Sequence, residues 1–487
     1  MEVDLPSECV GNGENVDIIR PGAVSRHPIL EVPPEILSEI FIECLPIYSA
    51  TPDPWRAPLL LGAICRDWRK TALSTPRLWS SFILPVNLGR VTEDSGIIQL
   101  FEYWLFRGGS CPLTMVISCY HGTSESAPSG LLPASLLRAL SDCSSRWHDV
   151  NLVLPFADFY RLQTNEGLPL LSRLAIKAVT VQDGTPDSTP PSLLELFGNA
   201  PVLQDVHLGD GFSLSIVTLP LSQLRYFDSR MATTHHYLHV LRQTPNLVEI
   251  ALDLHTLHSV DMPSAPIYSN IKSLTLRSFQ LWENTFLDVL GFLACPALET
   301  LVITGYAFAP ISPEPLLRFL SRSSPPLREF VVDFPHSGSD ALIHVAQCLI
   351  GMSTLVRLDI KCLAADTVND IFSRMCENTS VFLPKLQMLK VVVNTGLDGP
   401  SSWTYDAMTR MLFTRWNSQA GHNVGQLQVF SFSYSNRGPR LSPYNPGAET
   451  LREPDSVTLL QLSTLAQEGM VIDIDLGHNG EDLLSLD

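Results

Sequence analysis

Several features that would assign the chain to a common class are absent from its sequence. No run of about 18 uncharged apolar residues occurs, so we expect no membrane-spanning helix. The ten cysteines include no C-x-x-C pair and no tight cluster, which argues against a zinc finger or a disulfide scaffold. The first residues, MEVDLPSECV, are acidic where a secretory signal is basic and then apolar. We therefore expect the chain in the cytoplasm, the nucleus or both, with no membrane partner.

Positive charge is also scarce. Charged residues make up only 17% of the chain, and the net charge is −18. Residues 1–19 carry five acids and residues 453–487 carry eight, and neither segment has a lysine or an arginine. Such segments are typical of solvated ends, so we predict an acidic disordered tail over residues 1–27 and an acidic C-terminal tail over residues 471–487. Since nothing here neutralises phosphates, we expect no nucleic-acid partner.

The sequence signatures of several enzyme classes are missing as well. There is no G-x-G-x-x-G, no P-loop and no G-x-S-x-G, which mark dinucleotide, nucleotide and ester chemistry. His235, His236 and His239 form H-H-x-x-H, and the first and last could share a helix face as metal ligands do. The glutamate that a metalloprotease needs in this motif is absent. We predict no catalytic residue, no cofactor and no metal.

An amphipathic helix is predicted close to the N-terminus. Val32, Ile36, Ile40 and Phe41 recur at helical spacing, and Leu37 lies beside them. Two prolines stand where the helix begins, at a position where a missing N–H has no intrahelical partner to lose.

A second helix is predicted after a proline-rich loop, from about Pro58, and the phrase STPRLW ends it. Its apolar stripe and the two large groups that follow are Leu61, Ile64, Cys65, Trp68, Leu78 and Trp79. A unit of about 50 residues cannot build a deep core by itself. Either the rest of the chain or another protein must therefore cover its apolar residues.

The order of these residues resembles the F-box, the helical module that binds the adaptor subunit of cullin-RING ubiquitin ligases. The matching phrases are VPPEILSEIF, ICRDWRK and PRLW, which place the domain at residues 28–82. The proline-rich loop between Leu45 and Pro58 is longer than the join that is usual in the family. The resemblance implies that the adaptor contacts Val32, Pro33, Ile36, Leu37, Ile40, Phe41, Leu61, Ile64, Cys65, Trp68, Leu78 and Trp79.

A second pattern recurs from about residue 145 onwards. Phrases such as NLVEIAL, PLREFVV and TLVRLDI fit L-x-x-L-x-L with Leu, Ile, Val or Phe at the L positions. Their first marked residues lie 21 to 41 positions apart, at Leu203, Leu224, Leu247, Ile271, Leu298, Leu327, Leu355, Leu386 and Leu427. A period of this length predicts leucine-rich repeats.

Each phrase predicts a short strand, and most intervals carry a helical pattern that ends at a proline before the next phrase. Such helical patterns cover residues 288–296, 314–326, 340–350 and 366–378. The fold class is therefore α/β: a small N-terminal helical F-box followed by an irregular leucine-rich-repeat solenoid over residues 83–470. We expect a curved parallel sheet with helices on its convex side.

The outward positions of the strands are predicted to line the concave face and to bind an unknown protein substrate by charge complementarity. They are Asp205, His207, Glu249, Asp253, Arg277, Glu329, Asp333, Arg357, Asp359, Lys361 and Lys390. The resemblance implies the substrate-recognition subunit of an SCF-type ubiquitin ligase, with no enzymatic activity of its own. Two alternatives stay open: an F-box scaffold that is not coupled to ubiquitination, and a doubly wound α/β enzyme.

Overall fold

The part of the chain that the structure describes starts with short helices and continues as a long series of strands joined by helical segments. The computed structural model describes residues 29, 31–46, 52–93, 95–121, 130–164, 167–179, 193–232, 234–254, 266–278, 284–305, 311–334, 343–394, 405–417, 424–435 and 453–475. The tail predicted over residues 1–27 lies outside these residues.

The helices are short, and 3-10 turns supplement them. The α-helices are α1 (Pro34–Glu43), α2 (Leu59–Ile64), α3 (Arg66–Leu73), α4 (Gly96–Arg107), α5 (Ala134–Asp142), α6 (Phe156–Arg161), α7 (Thr234–Gln243), α8 (Glu314–Ser323), α9 (Val345–Leu349), α10 (Ala365–Glu377), α11 (Tyr405–Trp416) and α12 (Ser456–Gln467). The 3-10 segments are Pro76–Trp79, Ser144–Arg146, Leu221–Gln223 and Asn284–Phe292.

The strands form one large parallel sheet whose order follows the chain. They are β1 (Ser81–Asn87), β2 (Leu113–Tyr120), β3 (Trp147–Pro155), β4 (Arg173–Val179), β5 (Asp205–Leu208), β6 (Tyr226–Ala232), β7 (Glu249–Leu254), β8 (Ile267–Tyr268), β9 (Ser273–Ser278), β10 (Leu293–Ala294), β11 (Thr300–Gly305), β12 (Glu329–Asp333), β13 (Arg357–Leu363), β14 (Met388–Asn394), β15 (Val429–Ser435) and β16 (Val471–Asp475). Only β8 and β10 pair apart from the 14-stranded sheet. Doubly wound sheets reverse their strand order at a switch point, and this sheet does not.

The recurring apolar residues hold the sheet to its helices. The first marked residue of every phrase is at most 3% exposed, and each of these strands begins two residues later. In most strands buried apolar side chains alternate with exposed or partly exposed ones, so one face is buried and the other is partly open to solvent. The buried face belongs to a hydrophobic core that extends from Leu37 to Ile474. The prediction of repeated strands joined by helices into a parallel sheet is therefore confirmed.

Both boundaries of the predicted repeat region need correction. The first strand, β1, begins at Ser81 inside the segment predicted as F-box, because Phe82 and Leu84 belong to the buried face of the sheet. At the other end, the predicted tail starts with β16, which pairs with β15 over Val471–Asp475. Its sequence VIDID alternates apolar and acidic residues, and Ile474 is only 2% exposed.

Two of the predicted helices also differ in the structure. The pattern over residues 288–296 belongs to a 3-10 segment, Asn284–Phe292, followed by the short strand β10. Of the pattern over residues 340–350, the structure describes residues 343–350, and these contain five residues of α-helix, α9. Propensity over a short window does not decide between α and 3-10 geometry, because packing against neighbouring units sets the local pitch.

Three arginines connect neighbouring units through main-chain carbonyls. Arg146, Arg322 and Arg415 each lie near the end of a helical segment. Each donates to carbonyls at, or just after, the end of a helical segment in the preceding unit. The acceptors are the carbonyls of Leu105 and Cys111 for Arg146, of Leu290 and Leu293 for Arg322, and of Met375, Thr379, Phe382 and Leu383 for Arg415. Carbonyls at a helix C-terminus lack intrahelical partners and favour a cation, so the guanidinium satisfies several at once.

Replacing Tyr237 by phenylalanine is expected to lower the free energy of unfolding by about 1–3 kcal/mol. The Tyr237 hydroxyl is fully buried, accepts from the Asp253 N–H at 2.8 Å, and lies 3.0 Å from the Ser229 carbonyl. Without it, a buried N–H loses its acceptor between β6 and β7. Urea unfolding measures the loss. Tyr268→Phe is the matched control, because this ring is 76% exposed, and an equal loss in both variants would contradict the assignment.

Candidate functional site

The N-terminal unit exposes a set of large apolar side chains on two short helices and the turn between them. The apolar ledge, as we call it, consists of Ile36 and Ile40 on α1, Trp55, and Leu60 and Ile64 on α2; these side chains are 55%, 41%, 83%, 37% and 55% exposed. Both helices pack on α3. Isolated exposed apolar residues are ordinary, whereas several in one small unit indicate an interaction surface.

The ledge rests on a well-connected scaffold. The rings of Phe41 and Trp68 lie 4.9 Å apart and join α1 to α3. The Arg69 side chain donates to the Gly62 carbonyl at 2.7 Å and joins α3 to α2. Cys65 caps α3, because its sulfur accepts from the Trp68 N–H at 3.4 Å. These contacts fix the two helices relative to each other, so the exposed residues occupy defined positions.

Five of the predicted adaptor contacts are buried, and their assignment as surface contacts is corrected. Leu37, Phe41, Leu61, Leu78 and Trp79 are at most 6% exposed. They form the core of the unit and its junction with the repeats, since so small a unit needs most of its large apolar residues for its own stability.

The junction between the N-terminal unit and the repeats is an example of such burial. The Trp79 ring packs on Trp104 of α4 at 4.9 Å, and its indole N–H donates to the Ala72 carbonyl at 2.8 Å. Helical periodicity predicted an apolar stripe on each helix, but it does not say which side of the stripe faces inwards.

The remaining predicted contacts divide into two groups. Pro33, Ile36, Ile40 and Ile64 are exposed. Val32, Cys65 and Trp68 are partly buried, and the indole N–H of Trp68 has no hydrogen-bond partner among the described residues. Exposed or partly exposed positions can still contact a partner, so the prediction stands for these seven.

Trp55 is a ledge residue that the sequence did not identify. It belongs to the proline-rich loop, where no periodicity marks a functional position. An aspartate turn presents it: the Trp55 N–H donates to the Asp53 carboxylate at 2.9 Å, and the Arg56 guanidinium lies 3.6 Å from the same carboxylate. Leu60 then continues the chain into α2 through a hydrogen bond to the Arg56 carbonyl. A tryptophan exposed on an ordered turn is a typical interface anchor.

The other predicted site lies on the open face of the sheet, the face opposite the apolar core. Ten of its eleven predicted residues are exposed or partly exposed there. Asp253 is the exception and is corrected: it is 2% exposed, and the Tyr237 hydroxyl binds its main chain. Alternation places a side chain on a face but does not report how deeply neighbouring elements cover it.

Asp228 is the centre of the charge network on this face. Its carboxylate accepts from Arg277, two strands away, and lies 3.3 Å from Nδ1 of His207. Burial is the largest single influence on the Asp228 carboxyl group, and it raises the pKa. The hydrogen bonds and charges of His207 and Arg277 together outweigh burial, so the pKa of Asp228 lies below its ordinary value. The sequence reasoning missed Asp228, because the phrase QLRYFD is a weak copy of the repeat.

A hollow of about 600 Å³ lies beside this network, over β4 to β7. We call it the charged hollow, and its lining includes Arg173, Asp205, His207, Arg225, Tyr226 and Glu249. The rings of His207 and Tyr226 pack against each other at 4.7 Å. The structure thus brings three predicted residues, Asp205, His207 and Glu249, together in one concave site.

A second charged cluster covers β12 to β14 on the same face. Arg357 pairs with Glu329 at 3.1 Å, and Lys361 pairs with Asp333 at 2.7 Å. Burial raises the pKa of Asp359 above its ordinary value in spite of the nearby lysines. Pairing between strands leaves most of these charges compensated, so this part of the face offers fewer free groups than the hollow.

We expect Asp228→Asn to lower the free energy of unfolding by about 1–3 kcal/mol at neutral pH, because two charge-assisted hydrogen bonds lose their acceptor charge. The pKa of Asp228 is lower in the folded chain than its ordinary value of 3.8. The stabilisation by its carboxylate is therefore complete above pH 3.8 and is lost as the pH falls through the pKa of the folded chain. Urea unfolding of both proteins across that range measures it. If the difference in unfolding free energy between the two proteins stays constant below pH 3.8, Asp228 does not stabilise the fold through its negative charge.

Clusters of metal-ligating side chains and long apolar helices are both absent from the described residues. Nowhere in them do three His, Cys, Asp or Glu side chains come close enough to hold a metal ion. His239 lies on α7, while the side chains of His235 and His236 fall outside the described residues. None of the helices in the described segments is both long and apolar enough to cross a bilayer. The sequence matches no protein-family model and no curated protein.

Proposed function

We propose that the chain is the substrate-recognition subunit of an SCF-type cullin-RING ubiquitin ligase. In this proposal the N-terminal unit is an F-box that binds the adaptor, and the strand–helix units bind a protein target. The apolar ledge is the observation that carries the proposal. A unit that buries its own core and still leaves Ile36, Ile40 and Ile64 exposed has apolar surface to bury against another protein.

The sheet supports the assignment of the remaining units as leucine-rich repeats. Fourteen parallel strands follow one another in chain order, and a buried Leu or Ile precedes each strand from β5 to β15, apart from the short β8 and β10. In such stacks each unit contacts its neighbours, and the outward strand positions form one extended face. A face of this kind suits recognition of a protein surface rather than a small molecule.

The mechanism follows from proximity. A target held on the open face stands near the charged enzyme that the cullin scaffold brings, and its lysines experience a high effective concentration of ubiquitin thioester. The chain contributes binding energy and orientation, and other subunits perform the transfer. We propose the cytoplasm or the nucleus as its compartment, where such ligases act.

Reconstitution tests the proposal. The full chain is mixed with the adaptor, the cullin and the RING subunit, and complex formation is followed by size-exclusion chromatography. We expect one complex that contains all four proteins. Absence of adaptor binding by the folded chain would reject the proposal. Adaptor binding without ubiquitination of any protein captured by the open face would favour an assembly scaffold that is not coupled to ubiquitination.

A further inference from the structure

The charged hollow has an unequal balance of free charges. Of the arginines in its lining, Arg173 is neutralised by Asp149 at 3.0 Å. His207 is hydrogen-bonded to Asp228, whose charge Arg277 compensates. The charges of the lining that remain are one guanidinium, that of Arg225, and two carboxylates, those of Asp205 and Glu249. Neither carboxylate makes an ion pair with another described residue. The hollow therefore has an excess of negative charge and lacks one cation.

The two free carboxylates stand on either side of an aromatic ring. Asp205 and Glu249 are both register partners of Tyr226, on the strands that flank β6. Because parallel strands lie about 4.8 Å apart, the Cα atoms of the two acids are about 10 Å from each other with the tyrosine between them. His207 packs against one side of the ring and fixes its position. Two carboxylates and an aromatic ring together are the groups that bind a cationic side chain in proteins.

Tyr226 keeps its proton under all physiological conditions. Burial, together with the neighbouring carboxylates, raises the pKa of its hydroxyl to about 12. The hydroxyl therefore stays a neutral donor and acceptor, and the ring keeps the electron-rich face that attracts a cation.

We propose that the charged hollow binds the side chain of a lysine or an arginine presented by a protein partner, between Asp205 and Glu249 and against the ring of Tyr226. The guanidinium of Arg225, which makes no ion pair with another described residue, donates to a main-chain carbonyl of the same peptide. The inference rests on the proposed function, since it names the chemistry by which the open face recognises its target: a segment with an exposed basic residue.

Selection from a random peptide library tests this inference without knowledge of the target. The library is panned on the immobilised full chain, on the double variant Asp205→Asn/Glu249→Gln, and on Asp473→Asn. The last variant removes an exposed carboxylate from the same face, at β16, and serves as the matched control. The acids in the double variant make no ion pair among the described residues, so amides at these positions leave the fold intact. Equal thermal midpoints verify this.

We expect peptides selected by the wild-type chain and by the control to carry lysine or arginine at one fixed position. The double variant should not select that position. A selected peptide in which this residue is changed to glutamine should bind the wild-type chain about tenfold more weakly in fluorescence polarisation. Its affinity should also fall as salt is added, because the contact is between charges at a partly exposed site.

The inference would be overturned by selected peptides without a basic position, by acidic peptides that bind through Arg225, or by a chain that selects no peptide. Persistence of the basic position on the double variant would overturn it as well. The selection uses the chain alone, so it is independent of adaptor binding. A chain that selects basic peptides and does not bind the adaptor would refute the proposed function and leave this inference standing.

Discussion

Replacing Arg415 by leucine is expected to destabilise the chain by about 3–5 kcal/mol. The Arg415 side chain is fully buried on α11 and donates to four main-chain carbonyls at the end of α10 and in the turn after it. Burial lowers the pKa of its guanidinium to about 10, so the group remains charged at neutral pH. Leucine fills part of the volume but leaves these carbonyls without a donor. The midpoint of urea unfolding measures the loss.

Arg410→Leu provides a matched control on the same helix. Arg410 makes an exposed ion pair with Asp406, four residues earlier, at 2.8 Å. Exposed pairs of this kind contribute about 0.5 kcal/mol or less, so this variant should unfold close to the wild-type midpoint. Similar midpoints for both variants would show that the buried arginine does not connect the units.

The double variant Ile36→Asp/Ile64→Asp is expected to reduce adaptor affinity by about 100-fold or more. Each isoleucine is 55% exposed, on α1 and α2 respectively. If the ledge is the adaptor surface, each aspartate both removes an apolar contact and places a charge in a dry interface. Losses of about 2 kcal/mol at each of two interface anchors exceed the 1.4 kcal/mol that corresponds to a tenfold change. Biolayer interferometry with immobilised adaptor measures the affinity.

The control for this prediction is an isoleucine of similar exposure in the repeat region. Ile350 follows α9 and is 51% exposed, so Ile350→Asp makes the same chemical change away from the ledge. We expect it to bind the adaptor like the wild-type chain. An equal loss of adaptor affinity in both variants would indicate a nonspecific effect of added charge. Unchanged affinity in both would show that the adaptor does not bind α1 and α2.

The repeat architecture could be predicted from the sequence because it depends on local periodicity. An inward Leu or Ile recurs before each long strand from β5 to β15, at positions from Leu203 to Leu427, and the same residues are buried in the structure. Alternation within each phrase also placed Asp205, His207 and Glu249 on one face. Period and alternation are properties of residues that are close in the sequence, so they can be recognised without knowledge of distant contacts.

The edges of the fold and the networks within it could not be predicted in this way. Strand β16 reads as an acidic tail, because its two aspartates dominate a short segment, and only pairing with β15 makes it a strand. Asp228 lies in a weak copy of the repeat, and its role appears only when β5, β6 and β9 bring His207 and Arg277 to it. The network around Asp228 depends on residues that are 21 and 49 positions away from it in the sequence.

The sequence by itself determined that strands and helices alternate, that the strands are parallel neighbours, and that an apolar helical unit precedes them. The single helix predicted from Pro58 is two helices in the structure, α2 and α3, because the backbone of Cys65 between them is extended. Only the tertiary structure decided which apolar groups of this unit are covered: Phe41 and Trp79 face inwards, whereas Ile36, Trp55 and Ile64 remain at the surface. The physical reason is that burial is a competition among all apolar groups for a limited interior. Its outcome depends on the shapes of distant segments that pack together, and periodicity along one helix carries no information about them.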